Sequence, residues 1–487
     1  MESLTSIYSP ESRNCGQKVK LGTIDQIAPR VYITMFVLWG MRPDQTMQET
    51  HAFFGECLHR ILQEIPQLTT TIQPCNNGRD EVELAYDRTR GCIYTYKDYA
   101  STPERRALWP HGSVDELYDR HFPYASCEKH LLLTPVEEYD YPPSLAAQIN
   151  FIPGGYIFST MLSHVVGDGT ANFLLWQTLA KHMQALSNGE RHASGPTSIS
   201  FCERREVVEP DNDGLHMDEF PNWRYADPEK VHVMPIKPQE EVETIPKAQY
   251  AVFYISEERM KALADFISTD EIKISAVEAI GSFLWQQITM ARAIDVKKYP
   301  EAKLSVTVDT RRCMDEPVLP TNYWGNFSEP NAVARIPTQN LLRTHSDAAT
   351  RKKQLADTLV DACDRIRNAV IAVDGTAVRR LVGLLNQMPK SNTLTWNVDR
   401  WPGPDMLLVC VNFHHYYNLD FGSFAGHPKC GRFMIGDPDG RPDGRVLISP
   451  PRPEDGRGLE IALQYDTATI ETLQASPDFS EYFVRRC

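Results

Sequence analysis

Apolar residues fall at helical spacing in several stretches of this chain, separated by short runs that read as strands. Phe54, Leu58, Ile61, Leu62 and Ile65 recur three and four residues apart and Pro66 closes the pattern, which predicts an amphipathic helix from Asp44 to Leu68. The preceding run RVYITMFVLW (30–39) reads as a strand. From Leu145, LAAQINFI, then PGG, then YIFSTMLS predict two strands joined by a tight turn. Phe173, Trp176, Leu179, Met183 and Leu186 then place an apolar stripe along a helix from Ala171 to Leu186.

The periodicity dissolves between Ser187 and Gln249, where proline, acidic and short polar residues dominate, a linker composition. Beyond it the strand QYAVFYI, the helix SAVEAIGSFLWQQITMAR, the strand KLSVTVDT, a long helix from Ser346 to Val373 and a β-rich carboxyl third are expected. Strands and helices alternate irregularly in two halves and no internal repeat is evident. The expected class is α/β, with a first domain over residues 1–186, a crossover linker over 187–249 and a second domain over 250–487.

Composition narrows the chemistry. A hydrophobic fraction of 42% and a charged fraction of 23% are those of a soluble globular protein. Fifty basic against sixty-four acidic residues leave a net charge of −14, which argues against a nucleic-acid surface and against docking on anionic lipid. An anionic ligand therefore needs a local basic pocket. The eleven cysteines form no CxxC pair, so neither a zinc site nor a disulfide framework is indicated. MESLTSIYSP has no leader pattern, VRRC is no lipidation box, and the longest apolar run, Val31 to Met41, is about half a membrane span. A cytoplasmic protein is expected.

One octapeptide, SHVVGDGT from Ser163 to Thr170, carries candidate chemistry. On a helix, His164 and Asp168 would share a face and could hold a metal. Val165 and Val166 are β-branched, however, and Gly167 and Gly169 flank the aspartate, so a strand ending in a sharp loop before the helix is expected. In such a loop the two side chains diverge, the imidazole toward a cleft and the carboxylate inward, where it needs a cationic partner. Taken alone, a histidine at the end of a buried strand also fits a hydrogen-bonded core residue.

The order serine, histidine, two spacers, glycine, aspartate, glycine resembles the HxxxDG signature of coenzyme A-dependent acyltransferases, which the BAHD family carries about a third of the way along the chain. LGTIDQIAP (Leu21 to Pro29), ISAVEAIGSFLWQQITMAR, VTVDTRRCMDEPVLPTNYWGN (Val306 to Asn326) and Asp420-Phe421-Gly422 resemble further segments of that family in the same order, covering nearly the whole chain. Fungal trichothecene O-acetyltransferase-like members are nearest in length. Two features depart from the pattern. DFGWG is here DFGSF, with Ser423 and Phe424 in its second half. The family's Ser-Trp dipeptide is also missing, since Thr395-Trp396 lies too far upstream and Asn412-Phe413 lacks the tryptophan.

The resemblance implies two chloramphenicol-acetyltransferase-like domains of mixed sheet and helices with a channel between them. It implies acyl-coenzyme A, first of all acetyl-coenzyme A, as co-substrate, a small natural-product alcohol as acceptor, no metal, no nucleic-acid or membrane partner, and a monomer. His164 is then the general base that takes the acceptor's proton. Asp168 is structural, with Arg311 of the Asp-x-Arg segment as its partner; Gly167, Gly169, Asp420 and Gly422 shape the backbone. Lys273 and Ser275, ahead of the helix that starts near Ala276, form a candidate site for coenzyme A phosphates, with an ordinary serine N-cap as the alternative. His414 and His415 read as packing or acceptor-pocket residues rather than metal ligands. No cysteine adjoins a Cys-His motif, so transfer is expected to be direct. Two rival readings remain, a condensation-domain-like enzyme fed by a carrier protein and a scaffold that transfers no acyl group.

Overall fold

The computed structural model describes residues 5–8, 16–86, 91–136, 139–191, 193, 208–227, 248–268, 273–314, 322–328, 330–342, 347–412, 414–435 and 442–487. Parts of the expected linker (194–207 and 228–247), residues 315–321 of the segment ending in Asn326, and Phe413 lie outside them.

Two mixed sheets form the frame. The first runs, in spatial order, Thr5–Tyr8, Cys92–Asp98, Leu145–Ile152, Gly155–Ser163, Tyr32–Gly40 and Cys430–Ile435. The second runs Ala332–Pro337, Glu301–Val306, Met406–Cys410, Arg445–Ser449, Leu459–Tyr465, Gln249–Ile255 and Val484–Arg485. Leu145–Ile152 and Gly155–Ser163 are buried along their whole length, the polar Gln148, Asn150, Ser159, Thr160 and Ser163 included. The turn between them needs glycine, since Gly154 has φ +87° and a Cβ on Gly155 would lie 2.1 Å from the Trp39 carbonyl oxygen.

Helices Met47–Glu64 and Gly169–Ser187 cover the first sheet. Phe54 of the former packs on Phe158 at 4.6 Å and on Trp39 at 6.0 Å. That helix is shorter than its apolar pattern, because the Thr46 hydroxyl caps the Glu49 amide and Pro66 opens a 3-10 turn. The strand expected over KLSVTVDT also stops early, at Val306, where Asp309 begins a turn. The second sheet packs against Ala276–Ala291, Ala348–Ile371 and Glu257–Ile267. Among the described residues no helix is long and apolar enough to cross a membrane.

Three expectations need correction. The carboxyl third is not simply β-rich, for it holds helices Gly375–Gln387, Thr467–Ala475 and Pro477–Tyr482. The segment 187–249 is not all linker. Trp223–Tyr225 pairs with Leu394–Trp396, and Phe220 and Trp223 are buried against Leu381, Leu384 and Leu385. Finally, the division at residue 250 does not assign every later strand to the second body, because Cys430–Ile435 pairs antiparallel with Tyr32–Gly40 at the edge of the first sheet. Its Arg432 forms a buried ion pair with Glu460 of the second sheet at 2.8 Å. The edge of Tyr32–Gly40 has peptide groups that need partners, and a period-2 pattern cannot say which distant strand supplies them.

Candidate active site

The strand Gly155–Ser163 ends one residue before His164, and Asp168 is the N-cap of the helix Gly169–Ser187, its carboxylate accepting from the Ala171 amide at 3.1 Å. The loop between them is tight. A Cβ on Gly167 would lie 2.4 Å from the Ala171 Cβ and 3.2 Å from the Trp324 indole nitrogen, so glycine is required there. Gly169 has ordinary spacing, its nearest neighbour being His414 at 3.7 Å. The Trp324 indole N–H donates to the Val166 carbonyl at 3.0 Å and pins the loop from the other half of the chain.

Asp168 faces inward as expected, 1% exposed, and meets Arg311 in a two-point ion pair at 2.9 and 3.0 Å. The Phe327 amide donates to the same carboxylate at 2.8 Å. All five guanidinium N–H groups of Arg311 are used, the remaining three on Asp309, the Tyr323 carbonyl and the Gly325 carbonyl. Burial alone would push the Asp168 carboxyl up; the Arg311 charge and these hydrogen bonds outweigh it and hold the group below the usual carboxylate range.

The imidazole of His164 is 5% exposed. Its Nδ1 lies 3.1 Å from the Asn326 side-chain oxygen. The Asn326 side-chain nitrogen donates to Asp25 at 3.0 Å and to the His164 carbonyl at 2.8 Å, and the Asn326 backbone amide donates to Asp25 at 2.9 Å. With both amide hydrogens committed to acceptors, the oxygen must face the ring. Nδ1 therefore carries the proton and Nε2 the lone pair, an assignment made from the hydrogen-bond network. Burial draws the imidazole below its ordinary value, more strongly than its backbone hydrogen bond, Asp168 and Asn326 raise it, so the ring is neutral at pH 7. Asp25 and Asn326 sat in the sequence segments quoted above without a role. The Gly-Asn and Asp-Gln pairs were the only signal, and nothing local in them points to His164.

The other sequence candidates separate. The Asp420 carboxylate accepts from the Gly422 amide at 2.8 Å and from Gln184 at 2.6 Å. Phe421 stands edge-on to Trp39 at 5.4 Å. Gly422 has φ +74°, and a Cβ there would come within 2.5 Å of the Ser187 hydroxyl, so this turn clamps the helix that Asp168 caps. Phe424 stacks on Phe53 at 4.1 Å, giving the departure DFGSF a packing role. His414 is 3% exposed and stacked on Phe173 at 4.9 Å, and burial draws it down to about 4. It is a packing residue, whereas His415 is exposed.

Ser275 is an N-cap in a capping box: its hydroxyl accepts from the Glu278 amide, and the Glu278 carboxylate accepts from the Ser275 amide at 2.8 Å. Glu278 also pairs with Arg367 at 2.7 Å. The protein's own carboxylate thus sits where a phosphate was expected, and Lys273 is exposed beside it.

A cleft of about 770 Å³ opens beside the His164 loop. Val31 belongs to its lining, and the Val31 carbonyl accepts from the His164 amide at 2.8 Å; the His164 ring is not part of that lining.

Two mixed sheets clamped by a buried Asp-Arg pair, with a neutral histidine at the seam, define an α/β architecture in two halves. The Transferase family matches residues 113–479, and the chain belongs to this family, the BAHD acyltransferases. The chain is 24% identical over 480 residues to acyltransferase easC of Emericella nidulans, covering 95% of this chain and 94% of that one. It is 22% identical over 446 residues to trichothecene 3-O-acetyltransferase TRI101 of Fusarium sporotrichioides, covering 88% of each. Among solved structures, F. graminearum TRI101 complexed with coenzyme A and T-2 mycotoxin superposes with a TM-score of 0.77 at 16% identity, over 96% of this chain and all of that one. Vinorine synthase superposes with a TM-score of 0.60 at 16% identity, over 97% and 96%. The protein is an acyl-transferring enzyme with fungal acyltransferase relatives.

Proposed function

We propose that the enzyme transfers an acyl group, acetyl in the first instance, from acyl-coenzyme A directly to a hydroxyl of a small natural product, with His164 as general base. The observation that carries this reading is the ring state of His164: neutral, with Nδ1 held by Asn326 and the lone pair at Nε2. Nε2 takes the acceptor's hydroxyl proton as that oxygen bonds to the thioester carbonyl carbon. The tetrahedral intermediate then expels the coenzyme A thiolate, which recovers the proton from the imidazolium, so ester and thiol are the products and the ring returns to its starting state. Asp168 and Arg311 hold the loop without exchanging protons. The fungal relative acts on a trichothecene hydroxyl and its structural counterpart binds coenzyme A, which favours an O-acyl transfer here.

The test is direct. Acetyl-coenzyme A at about 100 times its dissociation constant adds roughly 2.7 kcal/mol of stability, read as a rise in melting temperature. With a panel of natural-product alcohols, thiol release follows. No rise and no thiol release with any acceptor defeats the reading.

A further inference from the structure

Among the described residues, the cleft beside Val31 is walled by four stretches far apart in sequence: 26–31, 74–82, 224–227 and 391–399. Asp80, Glu81, Asp227 and Asp399 put carboxylates in the lining, and cationic side chains pair with at least three of them. Glu81 pairs with Arg79 at 3.0 Å, Asp80 with Lys390 at 2.8 Å and Asp399 with Arg224 at 2.8 Å. Arg30 differs. Its Nη2 donates to the Gln26 carbonyl at 2.9 Å and approaches the Gln26 side-chain oxygen at 3.4 Å, while Nη1, closed to water, has no acceptor. Among the described residues no carboxylate forms an ion pair with it. Burial draws its pKa down to about 10, so it stays charged at neutral pH. Arg30 lines the cleft while its Nη1 is sealed just behind the wall, and a guanidinium with an unmet donor there is costly to maintain unless a turn of the side chain gives it an acceptor.

We propose that the cleft docks the acceptor through a carboxylate, and that Arg30 is the residue that reads it. The proposal rests on the acyltransferase reading above and adds the acceptor's chemical class. The planar fork of a guanidinium matches a carboxylate in two parallel hydrogen bonds, and a small turn of the side chain toward the cleft gives Nη1 the acceptor it lacks. Arg30 immediately precedes Val31, whose carbonyl holds the His164 amide, so the anchor is tied through the backbone to the loop of the proposed base. A hydroxy acid gripped there has its acid end fixed and its hydroxyl free to turn toward the seam. The dimensions suit a small molecule, since 770 Å³ is within the usual range of ligand pockets.

The probes are 3-hydroxyoctanoate and its methyl ester, tested on the full chain. Binding is followed by calorimetry and melting temperature with no donor present. The acid is expected to bind at least about tenfold tighter than the ester, the scale of a charge-assisted hydrogen bond. Arg30→Gln closes that gap and Arg30→Lys restores part of it. With acetyl-coenzyme A added, the preference appears in KM and not in kcat. Equal binding of acid and ester by the unmodified enzyme overturns the proposal without needing any variant, and so does a gap that survives in Arg30→Gln. An Arg30-dependent gap in an enzyme that releases no thiol with any acceptor supports the cleft assignment and removes the acyltransferase reading.

Discussion

Arg311 and Arg30 are both drawn away from water beside the same loop, and they are satisfied in opposite ways. Arg311 spends every donor on Asp168, Asp309 and two carbonyls, so its environment is complete. Arg30 holds one carbonyl and keeps an idle nitrogen beside a cavity. A closed network of this kind resists change and belongs to the scaffold; an open one has room for a ligand. His164 stands between the two, steered by Asn326 on one nitrogen.

Several measurements sharpen or break this contrast. The largest effect is expected from His164→Ala, which should lower kcat by about 100- to 10,000-fold through loss of the proposed base, while the unfolding free energy falls by only about 1–3 kcal/mol because the buried Asn326 oxygen loses its donor. A folded variant with a near-normal rate would move the chemistry elsewhere. Asp168→Ala takes away the two-point partner of a buried guanidinium and leaves only Asp309 as counter-charge, so denaturant unfolding should show a loss of about 3 kcal/mol. Arg30→Gln should cost roughly 1 kcal/mol or less in the same experiment, and equal costs would erase the distinction between the two arginines.

Acidity separates them further. The Asp168 carboxyl lies below its unfolded value in the native state, so its contribution is fully present above about pH 4 and fades as pH falls through the native value. The neutral His164 ring lies below its ordinary value too, which places the acid limb of kcat/KM at a midpoint under about 6.5. A midpoint above that would mean the ring is not neutralised by burial. The smallest effect is expected from Lys273→Ala. With the neighbouring helix end already capped by Glu278, the KM for acetyl-coenzyme A should rise by roughly fivefold at most, as for one exposed charge.

Much of the His164 loop was legible in the chain itself. β-branched Val165 and Val166 followed by Gly167 marked a strand end, and the apolar stripe from Phe173 marked the helix behind it, so the inward turn of Asp168 follows from local geometry, whereas the imidazole expected to face a cleft is 5% exposed and outside the cleft lining. The Arg311 partnership came from family resemblance, since nothing local joins residues 168 and 311. What stayed hidden has one physical cause, dependence on tertiary proximity. Asp25 and Asn326 meet His164 only after both halves fold, and the cleft needs four separate stretches to exist. Ser275 was ambiguous for another reason, because a serine before a helix serves a cap and a phosphate site equally well; here it is a cap, with the Glu278 carboxylate on its amide.

The strand Cys430–Ile435 carries a consequence for biosynthesis. During translation, residues 32–40 emerge early and the partner that completes their hydrogen bonding emerges almost last, so the nascent first sheet waits with an open border until the ribosome has nearly finished. A fragment ending at residue 249 would keep that border permanently, and aggregation rather than an autonomous half-enzyme is the expected fate of such a truncation.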